Sequence, residues 1–486
     1  MKVSISYPPI NTDKGVPLLS QNRQFQYFNN HCYIYPVVPA LAVTMLKRAS
    51  HQVFWHDGIA KRWDIKKYFT ELKRTKPDII AIESKTPTIK YYWQVINRIK
   101  ELLPKSKVVL MGDHVTALPA ESFRNSKVDY VLTGGDFDFL LLNLVNHLDR
   151  QTKIEPGIYY RDKASRQIKS TGKFQANHDL KQLPKIDRDL SEWRLYAYDN
   201  GNFKYKPGTY TMIGRDCWWR ADGGCTFCSW TSTFPNWRVG TPQQLLDEIG
   251  ELIDKYQVKE IFDDTGTFPI GPWLKEFCQG MIERDYNKKI KFSCNMRAKA
   301  LNQAEYNLMA KAGFRFILYG LESGNQETLD LLNKGTKVSD IKIAARMAKK
   351  AGLMPHLTVM MGYPWETLDE AKKTVALAKE IMDHGWADSL QATIVIPYPG
   401  TRLFKECEAN DWLTTKDWKD YDMRQPVMKS PIPLKEINEL TRKLYKLSFS
   451  PGFLYHQISS IRSWADIKYL ARAGKAVFGH LADFFS

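Results

Sequence analysis

Acidic residues are scarce relative to basic ones in this 486-residue chain: 53 Asp and Glu stand against 70 Lys and Arg, a formal charge of +17. That imbalance admits nucleic acid, an acidic membrane face or an anionic substrate as partner. The cations are spread along the whole chain rather than gathered in one block, which is the pattern of solvated faces, and no nucleic-acid partner is expected. There is no run of eighteen apolar residues, so a membrane-spanning helix is not expected. Met1-Lys2-Val3-Ser4-Ile5-Ser6-Tyr7 enters a strand pattern directly and lacks the blocks of a signal peptide. Cysteines number seven; the three that cluster are an odd number and nothing marks secretion, which argues against a disulfide reading. The expected setting is the cytoplasm, where thiols stay reduced. Hydrophobic residues make up 43% and charged residues 25%, an ordinary globular balance, and the length allows two or three domains.

Three of the seven cysteines fall within twelve residues, in Cys217-Trp218-Trp219-Arg220-Ala221-Asp222-Gly223-Gly224-Cys225-Thr226-Phe227-Cys228, just after a strand-like run from Tyr210 to Gly214. Three thiolates on a loop can hold three irons of a [4Fe–4S] cluster and leave the fourth open for a small molecule. Zinc is an alternative, but a structural site wants a fourth protein ligand, and no Cys or His lies nearby in sequence. A purely structural role is the third possibility.

The fold class read from the pattern is α/β: a doubly wound, Rossmann-like N-terminal domain, then a partial (β/α)6 barrel, then a helical C-terminal region. Residues 1–149 alternate short apolar runs (Val53–Trp55, Asp78–Ile82, Val108–Met111, Val128–Leu132) with helical stretches such as Tyr91–Leu103 and Phe139–Leu148. Such a sheet binds ligands outside the carboxyl ends of its strands. Asp57-Gly58, Gly112-Asp113-His114-Val115-Thr116 and Thr133-Gly134-Gly135-Asp136 follow three of these runs, and glycine there lets backbone approach a ligand. Residues 150–205 read as a connector with a small hairpin. From 206 to 404 the alternation resumes, with strands beginning near Tyr210, Glu260, Lys291, Arg315, His356 and Leu390. Leu245, Leu246, Ile249, Leu252 and Ile253 give one intervening helix its apolar face, and Asn302 with Glu305 has capping-box spacing. Reactive groups of such a barrel belong at the C-terminal strand ends. There lie the cysteine loop, Asp263-Asp264-Thr265-Gly266, Asn295-Met296-Arg297, Glu322-Ser323-Gly324, Gly362-Tyr363-Pro364 and Pro399-Gly400-Thr401. Buried carboxylates are costly alone, so Asp263, Asp264 and Glu322 are expected to face a polar ligand or one another.

The ordered set of motifs resembles the cobalamin (B12)-binding-domain-containing radical S-adenosylmethionine (SAM) enzyme family. The resemblance rests on the cysteine loop with Phe227 before its last cysteine, Gly320-Leu321-Glu322-Ser323-Gly324-Asn325 through Leu332-Asn333-Lys334-Gly335-Thr336, Gly362-Tyr363-Pro364-Trp365-Glu366-Thr367 and Pro399-Gly400-Thr401. In the first domain it rests on Tyr35–Ala42, Gly112–Pro119 and Gly134-Gly135. One feature departs from the family: seven residues separate Cys217 from Cys225, where three are usual.

The resemblance implies a [4Fe–4S] cluster on Cys217, Cys225 and Cys228, with SAM on the open iron. It places Phe227 on the adenine side, Asp263 and Asp264 near the methionine ammonium, and Glu322 and Ser323 near the ribose or methionine end. It implies cobalamin at Asp57, Gly112, His114, Thr116, Gly134 and Gly135. The loop Asp57-Gly58-Ile59-Ala60-Lys61-Arg62 lacks the cobalt-ligating His of methionine-synthase-type domains, so the implied cobalamin is base-off with no His from that loop. The implied activity is SAM cleavage to a 5′-deoxyadenosyl radical and C-methylation of an unactivated carbon on a small-molecule or lipid-like substrate, with an electron donor such as flavodoxin or ferredoxin. The alternative is a tetrapyrrole-type cyclase or ring-rearranging enzyme without net methylation. An RNA-modifying methylthiotransferase would need a second cysteine triplet, and only Cys32 stands in the first domain; a non-enzymatic cobalamin sensor would not need the barrel motifs. Residues 405–486 read as helical, with Ile467, Leu470, Ala471, Gly474, Phe478 and Leu481 forming a stripe flanked by Lys468, Arg472 and Lys475. The expected role is a lid on the barrel, with a peripheral membrane contact as the alternative.

Overall fold

A computed structural model describes residues 1–18, 25–29, 31–162 and 164–482. Five parallel strands lead the chain: β1 (Lys2–Tyr7), β2 (Gln52–Asp57), β3 (Ile79–Glu83), β4 (Lys107–Met111) and β5 (Tyr130–Leu132). The hairpin β6 (Ile158–Arg161) and β7 (Ile168–Ser170) adds to their edge antiparallel, giving the order β2-β1-β3-β4-β5-β6-β7. The hairpin expected in a connector is thus part of the first sheet. The parallel strands are apolar on both faces because helices cover both. Ile79, Ala81, Val109 and Met111 face a core shared with helices Val37–Arg48 and Phe137–Arg150, whereas Ile80, Ile82, Val108 and Leu110 face helices Ile65–Thr75 and Ile89–Leu102. The order reverses at β1, so the crevice between the β1 and β3 ends is the switch point where such sheets take ligands.

The second sheet is β8 (Gly208–Thr211), β9 (Glu260–Asp263), β10 (Lys291–Met296), β11 (Phe314–Glu322), β12 (Met354–Met361) and β13 (Ser389–Ile394). All neighbours are parallel and lie in chain order, which makes it an open half-barrel. Its helices start on strong caps. Thr241 with Gln244, Asn302 with Glu305, and Thr367 with Glu370 form reciprocal capping boxes. In helix Pro242–Asp254, Leu245, Leu246, Ile249 and Leu252 are buried.

The two sheets share their cores. One apolar cluster runs from Val3 and Ile5 through the Val37–Arg48 helix into the half-barrel, and a second joins Tyr92 and Ile96 to Met360, Ile396 and Trp418. Buried polar contacts cross the same boundary. Arg215 donates to Asp138 at 2.7 Å with both side chains at most 1% exposed, and the Gly135 N–H donates to the Thr233 carbonyl at 2.7 Å. Helix Leu434–Lys446 closes the last strand, where the Tyr445 hydroxyl donates to the Ala392 carbonyl at 2.7 Å.

Candidate functional site

The three cysteines line one cavity of about 1350 Å³ of empty space, part of it open to solvent, at the carboxyl ends of the barrel strands. The cavity also takes in Phe227, Asp264, Asn295, Arg297, Glu322 and Lys334. An apolar wall of Met360, Ile396, Tyr398 and Met423 faces them, and the cavity reaches down the barrel to Asn202, His356 and Gln391.

The long gap after Cys217 folds back on itself. Asp216 accepts from Arg220 four residues on, and a single 3₁₀ turn occupies Trp218–Asp222. Gly223 (φ +86°) and Gly224 (φ +68°) then reverse the chain in a conformation that L side chains resist. The turn is held from outside. The Asn333 amide donates to the carbonyls of Asp222 (2.8 Å) and Gly224 (2.9 Å), Trp219 Nε1 donates to the Asn333 carbonyl (2.7 Å), and Arg402 also donates to Gly224. Gly335 matters here because a Cβ on it would lie 2.0 Å from the Trp219 ring. The insertion therefore returns Cys225 and Cys228 to the cavity that Cys217 lines.

The thiols sit among groups suited to anionic sulfur. Thr267 Oγ1 lies 2.9 Å from Cys217 Sγ, and Arg297 Nη1 lies 3.9 Å from Cys225 Sγ while its guanidinium stacks on Trp219 at 4.4 Å. Burial pushes the Cys217 thiol up, opposed by Thr267 and Arg297. Among the described residues no three His, Cys, Asp or Glu side chains gather as a single metal ion would need. A structural zinc ion wants four protein ligands on one centre, whereas a cubane spreads three thiolates over separate irons. The donor chemistry and the cavity fit a cluster.

Glu322 and Lys334 pair at 2.8 Å with both side chains below 10% exposure. Glu322 holds a left-handed φ of +60° at a register break in β11, the kind of strain found at ligand sites. Gly320 leaves room for this pair, since a Cβ there would lie 2.0 Å from the Glu322 carboxylate.

Two expected SAM residues do not reach the cavity. Asp263 is fully buried and accepts from the Thr211 hydroxyl (2.9 Å) and from the N–H groups of Ile213 and Thr265 (both 3.1 Å); burial pushes its carboxyl up against these bonds. These bonds hold it to this chain's own backbone and to Thr211. Ser323 donates to Glu366 at 2.7 Å and accepts from the Asn325 N–H, turned away from Glu322. Arg297, Lys334, Asn333, Thr267 and Arg402 had no role in the sequence reading. Lys334 and Asn333 lie inside a motif that marked the resemblance and Arg297 in a strand-end run, which was the available signal.

At the first sheet the expected cobalamin residues contact one another and the chain. Asp57 is buried, accepts from the Ile59 and Ala60 N–H groups and, at 2.5 Å, from the Tyr196 hydroxyl; burial pushes it up to about 6. His114 bridges Thr86 (3.2 Å) and Glu121 (3.1 Å) beneath Trp418. Thr116 donates to the Gly112 carbonyl and accepts from the Gly134 N–H, tying two strand-end loops together. Gly112 (φ +118°) permits a close crossing with Ser84, whose carbonyl would lie 2.4 Å from a Cβ. The glycines read as room for a ligand receive aromatic rings instead: Phe174 fills the space of a Cβ on Gly134, and Phe234 that on Gly135. Phe174 and Phe234 thus cover the loop after β5, while Asp57 lies at the end of β2, beside the switch point.

A thiol triplet thus lies at the strand ends of a six-stranded half-barrel that follows a doubly wound sheet. Residues 212–378 match the Radical SAM superfamily model. The chain is 26% identical over 406 residues to an uncharacterized methyltransferase of Pyrococcus horikoshii, covering 82% of this chain and 84% of that one. It is 26% identical over 397 residues to the anaerobic magnesium-protoporphyrin IX monomethyl ester cyclase of Cereibacter sphaeroides, covering 79% of this chain and 62% of the cyclase. Its fold matches the cobalamin-dependent SAM radical enzyme OxsB, solved with aqua-cobalamin and SAM bound, at a TM-score of 0.69 and 16% identity, over 98% of this chain and 72% of OxsB. The family match thus spans the cysteine loop and strands β9 to β12, and the fold of the whole chain is the one that OxsB has. A [4Fe–4S] cluster and SAM are the cofactors that such a barrel implies.

Proposed function

We propose that this radical SAM enzyme is a cobalamin-dependent C-methyltransferase acting on an unactivated carbon of a small-molecule or lipid-like substrate. The observation that carries the reading is the single cavity that joins Cys217, Cys225 and Cys228 to Asp264, Glu322 and an apolar wall, and that reaches Ile34 of the N-terminal unit. When bound, the cluster with SAM supplies a carbon-centred radical and a corrinoid supplies a methyl carrier.

The chain's own residues do the rest. Asp264 and the Glu322–Lys334 pair present one negative and one paired charge to an amino-acid-like headgroup, with Lys334 free to exchange Glu322 for a carboxylate. Phe227 offers a flat wall to a base. Met360, Ile396, Tyr398 and Met423 exclude water from the path between the two units, which a reactive carbon radical requires. Asn202, His356 and Gln391 give the far end of the cavity a polar terminus for the substrate. Phe174 and Phe234 must move for a corrinoid to reach the Gly134-Gly135 edge, with no cobalt ligand from the Asp57 loop.

The relative named as a methyltransferase supports methyl transfer, and the cyclase relative supports ring closure without net methylation as the second reading. The discriminating experiment needs no substrate. The anaerobically reconstituted protein is incubated with a reduced corrinoid and methyl-labelled SAM. Label in the corrinoid fraction with equal S-adenosylhomocysteine is the expected result; 5′-deoxyadenosine alone, with no label transferred, overturns methyl transfer and leaves the cyclase reading. A low-potential flavodoxin- or ferredoxin-type donor and a cytoplasmic setting belong to the same proposal; no disulfide joins the cysteines among the described residues.

A further inference from the structure

Exposed large hydrophobic side chains are concentrated at one end of the chain. Of the twelve on the described surface, seven lie between residues 449 and 478: Phe449, Leu454, Tyr455, Ile458, Trp464, Ile467 and Phe478. Scattered single residues need no explanation, but a local concentration marks a contact surface. Tyr455, Ile458, Trp464 and Phe478 are each more than 60% exposed, and the Phe449 and Phe478 rings touch at 5.2 Å between centroids.

The last helix, Trp464–Ala482, is seated by one face only. Lys204 pairs with Asp466, Arg472 donates to the Phe203 carbonyl, the Arg315 guanidinium lies 5.4 Å from the Tyr469 ring centroid, and His480 stacks on Tyr445. These anchors lie at the amino-terminal rim of the half-barrel, so the helix does not cover the cysteine mouth. The opposite face carries Trp464, Ile467, Ala471 and Phe478 at helical spacing, and Lys468, Arg472 and Lys475 stand beside them, all exposed. The apolar stripe read from the sequence is thus split: Leu481 is buried, Leu470 and Gly474 half-buried, while Ile467, Ala471 and Phe478 face out.

Basic residues outnumber acids along this stretch. From Arg442 to Ala482 the chain carries Arg442, Lys443, Lys446, Arg462, Lys468, Arg472 and Lys475 against a single acid, Asp466, which Lys204 already neutralises. Among the described residues Lys446, Lys468 and Lys475 have no carboxylate partner. Apolar and aromatic side chains ringed by unpaired cations are complementary to an anionic lipid headgroup layer, where Trp and Tyr settle at the polar boundary. No described helix is long and apolar enough to cross a bilayer.

We propose that the helices Pro451–Ser459 and Trp464–Ala482 form a docking surface for an anionic membrane, holding the barrel on the lipid face without spanning it. The proposal is independent of the chemistry in the barrel. The full-length protein is sedimented with phosphatidylcholine vesicles, plain or doped with phosphatidylglycerol. Binding to the doped vesicles, weakened by salt, is expected. Lys468→Gln with Lys475→Gln should lower partitioning about 25-fold at low salt, at about fivefold per cation. Ile467→Ser with Phe478→Ser should abolish it while the melting temperature stays near wild type. Lys66→Gln with Lys73→Gln, on an exposed helix of the first domain, should change little. Equal losses from that control pair would reduce the effect to the net charge of +17 and overturn the proposal. So would vesicle binding that survives both C-terminal variants. An absence of vesicle binding, with a dimer in light scattering that Ile467→Ser with Phe478→Ser dissolves, would assign the surface to a second copy and overturn it equally.

Discussion

Replacing Asn333 by glycine tests how the long cysteine loop is held. Asn333 sits at φ +50° and its side-chain amide makes two hydrogen bonds, 2.8 and 2.9 Å, to the carbonyls of Asp222 and Gly224. Glycine removes the amide yet keeps the left-handed backbone, whereas alanine would add a conformational cost of about 1–2 kcal/mol. The bond to Gly224 is part-buried and the one to Asp222 exposed; at up to about 1 kcal/mol net each, Asn333→Gly should cost the loop up to about 2 kcal/mol. An energy of that size changes a local equilibrium about thirtyfold. The bond from Trp219 to the residue-333 carbonyl survives, so the loss stays local. The assay is release of iron from the reconstituted protein to a chelator, followed anaerobically, beside the melting curve. Iron release should quicken by up to about thirtyfold with little change in the melting transition, and Asn333→Ala should be worse than Asn333→Gly. If Asn333→Gly keeps its iron as long as wild type, the clamp does not hold the loop, and the fold-back must rest on Asp216–Arg220 and the two glycines alone.

The remaining predictions can each be checked by one measurement. Cys217→Ala should lose the near-400 nm absorbance and SAM cleavage; an intact, SAM-cleaving cluster would mean another residue is the third ligand. Gly320→Ala should push the buried Glu322–Lys334 pair apart and weaken SAM binding at least about tenfold, since breaking a buried pair costs several kcal/mol; unchanged binding by calorimetry would remove that pair from the site. At His178, burial alone would lower the pKa, but hydrogen bonds that the ring donates to Asp136 and Glu155 raise it from 6.5 to about 9. The folded state therefore holds a proton that the unfolded chain releases, so this contribution to stability is complete below pH 6.5 and lost as pH rises through about 9. His178→Gln should flatten the fall in melting temperature across that window, and a parallel fall in both proteins would refute the assignment. Phe174→Ala, which empties the space over Gly134, should tighten cobalamin binding measured by absorbance titration; weaker binding would mean that the ring supports the site rather than closes it.

The properties that depend on near neighbours were legible in the sequence. Strand starts at Glu260 and Lys291, the Asn302–Glu305 capping box and the apolar face of helix Pro242–Asp254 follow from periodicity and local hydrogen bonding. The cysteine triplet was equally plain, because three thiols within twelve residues need no distant partner to be noticed. What each loop residue faces was decided elsewhere. Asp263 and Asp264 are adjacent and chemically identical, yet the end of β9 turns Asp263 inward to Thr211 and Thr265 and Asp264 into the cavity. Gly134 and Gly135 look like ligand space until Phe174 and Phe234 arrive from about forty and one hundred residues away. Asn333 reaches back across more than one hundred residues to shape the loop before Cys225. A side chain's partner is set by which segments the fold brings together, and no local pattern carries that information. The sequence by itself thus determined the elements, the order of the two sheets' motifs and the chemistry available at the strand ends; tertiary packing alone decided which of those groups face the cavity, which hold the chain together, and which side of the last helix is left for a partner.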